Sequence, residues 1–121
     1  MPSRSKSQTT TKGRSRRLPR KRPPTHPGEM LLEEFVKPLG VTQVELAKRL
    51  DVSYPRLNEI IKGRRSVTPD TALRLSQVLG MSADFWLGLQ HDWDLWHAMN
   101  SPEAKAISRL KPLMGGGSNV A

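Results

Sequence analysis

The chain has 121 residues, which is room for one small domain and its tails. Its hydrophobic content of 36% and aromatic content of 5% suffice for one modest core. It has no cysteine, which excludes disulfide frameworks and thiolate metal sites, and no apolar run approaches the roughly 18 residues that a membrane-spanning helix needs. These features predict a cytoplasmic protein with no membrane partner.

The formal net charge of +9 is concentrated at the N-terminus. Residues 1–22 contain nine bases and no acid, whereas residues 23–121 contain eleven of each. Because residues 1–25 are also rich in Ser, Thr and Pro, they predict a disordered basic arm that binds DNA phosphates or a minor groove. A solubilising, targeting or RNA-binding role remains the alternative for this basic arm.

A first helix is predicted to open at Pro27 and Gly28, and Pro38 with Gly40 is expected to close it. Its apolar residues recur at helical spacing and predict one buried face. That face consists of Leu31, Leu32, Phe35, Val36 and Leu39.

Residues 42–65 predict two short helices joined by a tight corner. Thr42 and Glu45 form a capping box for the first helix, whose expected inward residues are Val44, Leu46, Ala47 and Leu50. Ser53 caps the second helix and Gly63 stops it. The inward residues of this second helix are Leu57, Ile60 and Ile61.

The outward side of the second helix carries residue types that suit nucleic-acid contacts. At about 100° per residue, the predicted base-reading residues are Tyr54, Pro55, Asn58 and Glu59. Asparagine suits adenine, glutamate suits the cytosine amine, and tyrosine or proline suits a thymine methyl. The predicted phosphate contacts are Gln43, Arg56, Lys62, Arg64 and Arg65. For Arg64 and Arg65 an ordinary solvated loop is the alternative.

Two longer helices are predicted to follow. Thr68 and Pro69 start one that ends at Gly80, with Leu73, Leu75, Val78 and Leu79 expected to face inward. Ser82 caps the other, whose apolar arc is wider than a small core requires. We assign Phe85, Leu89 and Trp96 of this arc to the core. A homodimer interface is predicted at Trp86, Trp93 and Leu95.

Residues 101–121 predict a short helix from Ser101 to Leu110, followed by a flexible glycine-rich tail. No catalytic residue, cofactor or metal site is predicted. His91, Asp94 and His97 do not have the spacing of a helical zinc pair, and no glycine-rich phosphate loop is present. The sequence therefore predicts an all-α protein with one helix-turn-helix domain at residues 26–100.

Three motifs around the predicted helix-turn-helix, together with Gln43 at its start, resemble the HigA branch of the Cro/repressor-type (Xre) helix-turn-helix superfamily. They are HPGEML at residues 26–31, VTPDTALRL at 67–75 and FWLGLQ at 85–90. The resemblance covers about residues 26–100. It implies a five-helix, lambda-repressor-like domain with an extended fifth helix.

The resemblance also implies a function. Proteins of this branch are antitoxins that bind operator DNA as homodimers, repress their own operon and neutralise an mRNA-cleaving toxin of the HigB type. A bacterial, nucleoid-associated protein is therefore expected. Two alternatives remain open, which are a solitary Xre-type regulator and an RNA- or ribosome-associated basic protein.

Overall fold

The computed structural model describes residues 21–114, and every regular element in this range is helical. The predicted all-α class is thus confirmed. In chain order the elements are α1 (Pro27–Leu31), a π-helical turn (Leu32–Val36), α2 (Lys37–Leu39), α3 (Gln43–Leu50), α4 (Tyr54–Ile61), α5 (Pro69–Leu79), α6 (Ala83–Met99) and α7 (Ala104–Ser108). The first twenty residues of the basic arm and the predicted flexible tail at 115–121 lie outside the described residues.

The predicted first helix is a continuous segment made of α1, the π-helical turn and α2. Pro38 lies inside it rather than ending it. A proline in a regular α-helix lacks one N–H donor and its ring meets the carbonyl four residues earlier, here that of Glu34. The wider turn before it relieves this crowding, and the N–H of Lys37 donates five residues back to the carbonyl of Leu32. Gly40, with φ of 69°, ends the segment.

Hydroxyl side chains begin the next four helices as predicted. Each accepts a hydrogen bond from the backbone N–H three residues later, which satisfies one donor that the helix itself leaves open. The caps are Thr42 for α3, Ser53 for α4, Thr68 for α5 and Ser82 for α6. These caps fix where each helix of the predicted helix-turn-helix starts.

The core lies between the N-terminal segment, α3, α4, α5 and the first half of α6. Three predicted core residues are wrong, because Leu39, Val44 and Leu73 are 60%, 51% and 64% exposed. Val44 and Leu73 lie on the sides of α3 and α5 that face away from the neighbouring helices. Leu39 lies in the last turn of its segment, at the rim of an open groove.

The helix predicted at 101–110 is present as α7, but its start differs from the prediction. The Ser101 hydroxyl donates to the carbonyl of Ala98 at 2.7 Å and so closes α6 instead of capping α7. Ala104 and Ile107 of α7 face Leu95 and Met99 of α6 across an apolar groove. No helix in the described range is long and apolar enough to span a bilayer.

Candidate nucleic-acid interface

Helix α4 has one buried side and one exposed side. Leu57, Ile60 and Ile61 are buried in the core. On the opposite side Tyr54 is 45% exposed, and Pro55 and Glu59 are also exposed. The four residues predicted to read bases therefore share the accessible side of α4, with Asn58 half-buried beside α3.

A hydrogen bond across the helix-turn-helix fixes the orientation of Asn58. Its side-chain amide donates to the side-chain oxygen of Gln43 at 2.9 Å, and Gln43 is the first residue of α3. Because both side chains are half-buried, this bond restricts their rotamers before any ligand arrives. The structure thus brings Gln43 to Asn58, so Gln43 is a positioning residue as well as a candidate phosphate contact.

The C-terminal end of α4 presents three bases and one acid. The N–H of Gly63, whose φ is 77°, donates to Ile60, and the N–H of Arg64 donates to the carbonyl of Glu59. This closing pattern explains the predicted stop. Arg65 contacts the Glu59 carboxylate at 2.9 Å, with both side chains about half exposed. Lys62 and Arg64 are exposed beside this pair.

Arg56, one of the predicted phosphate contacts, is turned toward α5. Its guanidinium donates to the hydroxyl of Thr71 at 2.6 Å and to the carboxylate of Asp70 at 3.1 Å, both on α5. The side chain is 29% exposed. One terminal nitrogen of the Arg56 guanidinium thus joins α4 to α5, and the phosphate contact of Arg56 stays a prediction.

A second arginine supports the corner between the two helices. Arg74 of α5 donates to the backbone carbonyls of Leu50 and Asp51 at 3.0 and 3.1 Å, and to the Asp70 carboxylate at 2.9 Å. The hydrogen bonds from Arg74 and then Arg56 lower the pKa of Asp70, and the Asp70 contact raises that of Arg74. This support lies within the VTPDTALRL motif, yet the sequence pattern did not reveal it.

The corner itself contains a strained residue. Asp51 has φ of 57°, the one non-glycine residue with positive φ among residues 21–114. Its N–H and that of Val52 donate back to Lys48 and Ala47, which closes α3. Arg74 thus donates to the corner where the chain reverses into α4.

The HPGEML motif has a structural role that sequence reasoning missed. His26 is only 4% exposed, and its Nδ1 accepts from the N–H of Gly28 at 2.8 Å as the N-cap of α1. Gly28 lies against α4 so closely that a methyl group there would be 1.8 Å from the carbonyl oxygen of Ile60. Burial lowers the pKa of His26, while the charges of Asp94 and Glu29 oppose this shift. The neutral imidazole is the form that accepts the capping bond.

Gln90, the last residue of the FWLGLQ motif, joins α6 to the loop before α5. It is buried, its side-chain oxygen accepts from the N–H of Val67 at 2.8 Å, and its amide donates to Asp94 at 2.9 Å. Burying a glutamine side chain costs free energy unless its amide is hydrogen-bonded. Here both the oxygen and the nitrogen of the amide have partners. A single sequence contains no signal that distinguishes this glutamine from a surface residue.

The aromatic arc of α6 is divided between core and surface. Trp86 is fully buried, with ring centroids 5.5 Å from Phe35 and 5.1 Å from Phe85. The prediction that Trp86 contacts a partner is therefore wrong, because the neighbouring helices surround the first turns of α6. Trp93 is half-buried against His26, at a centroid distance of 4.9 Å. Leu95 is 41% exposed.

The polar residues of α6 show no metal-binding arrangement. Asp94 accepts from Gln90, and the ring of His97 packs between Trp93 and Trp96. No cluster of three or more His, Asp or Glu side chains that could hold a metal ion occurs within residues 21–114.

Comparison with known proteins identifies the family. Residues 32–86 match the helix-turn-helix family model. Virulence-associated protein I of Dichelobacter nodosus is 43% identical over 81% of this chain and 89% of its own length. Antitoxin HigA-1 of Vibrio cholerae is 38% identical over 77% of this chain and 87% of its own.

A solved structure shows the same fold in a DNA complex. The antitoxin GraA, solved in complex with its operator, is 38% identical to this chain and has a TM-score of 0.72 against it. The match covers 100% of GraA and 82% of this chain. Together with the helix-turn-helix geometry, these matches confirm the resemblance seen in the sequence. The chain is a member of the HigA antitoxin family within the Xre-type helix-turn-helix superfamily.

Proposed function

We propose that this protein binds operator DNA as a homodimer, represses its own operon and neutralises a HigB-type toxin. The observation that supports DNA binding most is the exposed side of α4, where Asn58 is oriented by Gln43 and flanked by Tyr54, Pro55 and Glu59. An asparagine held in one rotamer suits the paired donor and acceptor of an adenine edge. Lys62, Arg64 and Arg65 at the end of the same helix supply the phosphate contacts.

The Glu59–Arg65 ion pair affects the electrostatic attraction between the exposed side of α4 and DNA. A free carboxylate beside phosphates is repelled, whereas a carboxylate paired with Arg65 is largely neutralised. When Glu59 accepts a cytosine amine, Arg65 is released toward a phosphate. The ion pair thus reduces the repulsion between Glu59 and DNA phosphates. At the operator Glu59 contacts a base and Arg65 contacts a phosphate in place of each other.

The homodimer forms through the exposed apolar residues of the second half of α6. Leu95, Met99 and Ile107 line an apolar groove between α6 and α7 and are each at least 40% exposed. Such a patch suits a two-fold interface, and two copies of α4 spaced by one turn of B-DNA would read the two halves of an operator. Trp86 is buried in the core, and Trp93 packs against His26 instead of lining this groove.

Membership of the HigA family supports the proposal that this protein neutralises a toxin. Antitoxin HigA-1 of Vibrio cholerae and GraA are both named as antitoxins. The toxin would be encoded beside this gene, so the identity of the adjacent reading frame decides between an antitoxin and a solitary regulator.

Two measurements test the proposal. Fluorescence anisotropy should show that the protein binds DNA from upstream of its own gene at least 10³-fold more tightly than scrambled DNA of equal length. Co-expression with the product of the adjacent gene should rescue growth and yield a complex on size-exclusion chromatography. Equal binding to both DNAs contradicts the repressor function, and stronger binding to structured RNA supports the RNA-associated alternative. Operator binding without rescue leaves a solitary regulator.

A further inference from the structure

We propose that Gln90 of α6, oriented by Asp94, is a positioning residue for the proposed phosphate contacts of Arg64 and Arg65. This inference rests on the proposed function. It gives α6, which packs against α1 and α5, a role in how strongly the protein binds the DNA backbone.

The two arginines lie on the loop between α4 and α5, which spans residues 62–68. Arg64 and Arg65 are both exposed. At the start of the loop the N–H of Arg64 donates to the carbonyl of Glu59, which holds this end to α4. Ordering a loop on binding costs free energy, so a loop that is already held at both ends gives a higher affinity.

Val67 holds the other end of the loop. Its side chain is 3% exposed, and its N–H donates to the side-chain oxygen of Gln90 at 2.8 Å. Within the part of the chain that the structure describes, this is the one hydrogen bond from a backbone N–H of residues 65–68. Because Gln90 is itself buried, water competes little for this bond.

Asp94 determines which end of the Gln90 amide faces the loop. A carboxylate accepts hydrogen bonds and does not donate them, so the Gln90 nitrogen lies on the Asp94 side, at 2.9 Å. The oxygen is then turned toward the N–H of Val67. The reverse orientation would place the amide oxygen against the carboxylate and the amide nitrogen against that N–H, so both contacts would be repulsive. Gln90 is therefore held in one orientation.

The same part of α6 supports the start of the loop. The ring of His26 is the nearest side chain to Gly63, about 3.9 Å from where a methyl group on Gly63 would lie. This ring packs edge-on against Trp93, with centroids 4.9 Å apart. Gln90, Trp93 and Asp94 are spaced by three and four residues and so share one side of α6. Both ends of the loop thus rest on this side.

The test removes the acceptor at residue 90 without changing the charge of the protein. Gln90→Leu has a side chain of similar size and no acceptor for the N–H of Val67. The restoring variant combines Gln90→Glu with Asp94→Asn, which moves the carboxylate to position 90, where it accepts from Val67 and from the new amide. The control is Val36→Ala, which loses core packing on the N-terminal segment.

The affinity of the full-length wild type and of each variant is titrated on operator and scrambled DNA across salt concentrations. The titrations are made at pH 8, where His26 is neutral. Gln90→Leu should bind both DNAs more weakly. Its slope of log affinity against log salt should become shallower by up to about 1.8, since each of two neutralised phosphates contributes about 0.9. Hydrogen exchange at the N–H of Val67 should become faster.

The restoring variant should return the slope and the exchange rate to those of the wild type. Val36→Ala should keep the wild-type slope although its melting temperature falls. A wild-type slope in Gln90→Leu, together with faster exchange at Val67, would show that Gln90 only satisfies a buried donor and would overturn the proposal. Equal slope changes in Gln90→Leu and Val36→Ala would also overturn it, because they would reflect a general loss of stability.

Two further outcomes are distinguished by the same experiment. If Gln90→Leu does not fold, Gln90→Asn replaces it, because its side chain is one methylene shorter and does not reach both Val67 and Asp94. If the wild type binds operator and scrambled DNA equally, the proposed function fails. The slopes on scrambled DNA then still decide whether Gln90 positions the phosphate contacts.

Discussion

At the scale of single residues, His26 links pH to folding. Its Nδ1 accepts the capping bond from Gly28 only when that nitrogen carries no proton, and burial lowers its pKa below the ordinary value. The unfolded chain takes up a proton near pH 6.5, whereas the folded protein does so only at lower pH. Neutral His26 therefore contributes its full stabilisation of the folded state above about pH 6.5. This contribution decreases as the pH falls toward the folded pKa.

The variant His26→Asn tests this linkage, because asparagine also caps helices but does not titrate in this range. The melting temperature of the wild type should fall below about pH 6.5 more steeply than that of the variant. His91 and His97 are common to both proteins, so the difference between the curves belongs to His26. Parallel curves from pH 8 to pH 5 would show that His26 does not couple protonation to folding.

At the scale of helices, the contact between α1 and α4 depends on a glycine. A methyl group at Gly28 would overlap the backbone of Ile60, which cannot move as a side chain does. Gly28→Ala should lower the free energy of unfolding by about 3 kcal/mol or more and displace the end of α4. Denaturant unfolding followed by circular dichroism measures this loss.

The matched control is Gly88→Ala, in the middle of α6. A methyl group there meets no atom within 4 Å, and alanine is a better helix former than glycine by about 1 kcal/mol. This variant should be equally or more stable than the wild type. If Gly28→Ala is as stable as Gly88→Ala, the close approach of α1 to α4 is not needed for the fold.

The corner of the helix-turn-helix depends on Arg74. Its guanidinium donates to the carbonyls of Leu50 and Asp51, which a shorter neutral side chain cannot reach together. Arg74→Gln should lower the melting temperature of the protein, since the hydrogen bonds that are lost come from a charged donor. The variant should also bind operator DNA more weakly, because the relative orientation of α3 and α4 is then less restricted. Arg109→Gln, at an exposed C-terminal residue, is the control and should change neither.

Sequence patterns located the helices because caps and periodicity are local. Thr42, Ser53, Thr68 and Ser82 each act within three residues, so the start of each helix could be predicted. Contacts between distant residues could not be predicted this way. The inward turn of Arg56 toward Thr71, and the burial of Trp86 beside Phe35, depend on how helices pack.

The exposed side of α4 could be predicted for the same local reason, since helical spacing separates Asn58 and Glu59 from Leu57 and Ile60. What the sequence did not show is that Gln43 orients Asn58, because that bond crosses fifteen positions. The role of Gly28 was also missed, because its close approach to Ile60 depends on the tertiary structure.

At the scale of the whole molecule, the proposed homodimer depends on the apolar surface at the end of α6. Leu95 is 41% exposed and lines the groove with Met99 and Ile107. Leu95→Glu should place a charge in the interface and shift the protein from dimer to folded monomer. Sedimentation equilibrium measures this shift. Leu73→Glu, on the exposed side of α5, is the matched control and should remain dimeric.

A Leu95→Glu variant that stays dimeric would place the interface elsewhere. A variant that unfolds would assign Leu95 to the core, although its exposure argues for a stable monomer. If the variant is monomeric, its affinity for the full operator should fall toward that for a half-site, since the second copy of α4 is lost.

The reading of operator DNA by α4 is tested most directly by the titration of Asn58→Ala on operator and scrambled DNA. The variant should lose about 1–3 kcal/mol of binding free energy on the operator and almost none on scrambled DNA, because it removes the base contact and the bond to Gln43 but leaves the phosphate contacts of Lys62, Arg64 and Arg65. Gln77→Ala, an exposed amide on α5, is the control and should match the wild type on both. Equal losses on the two DNAs, or no loss on the operator, would contradict base reading by this side of α4.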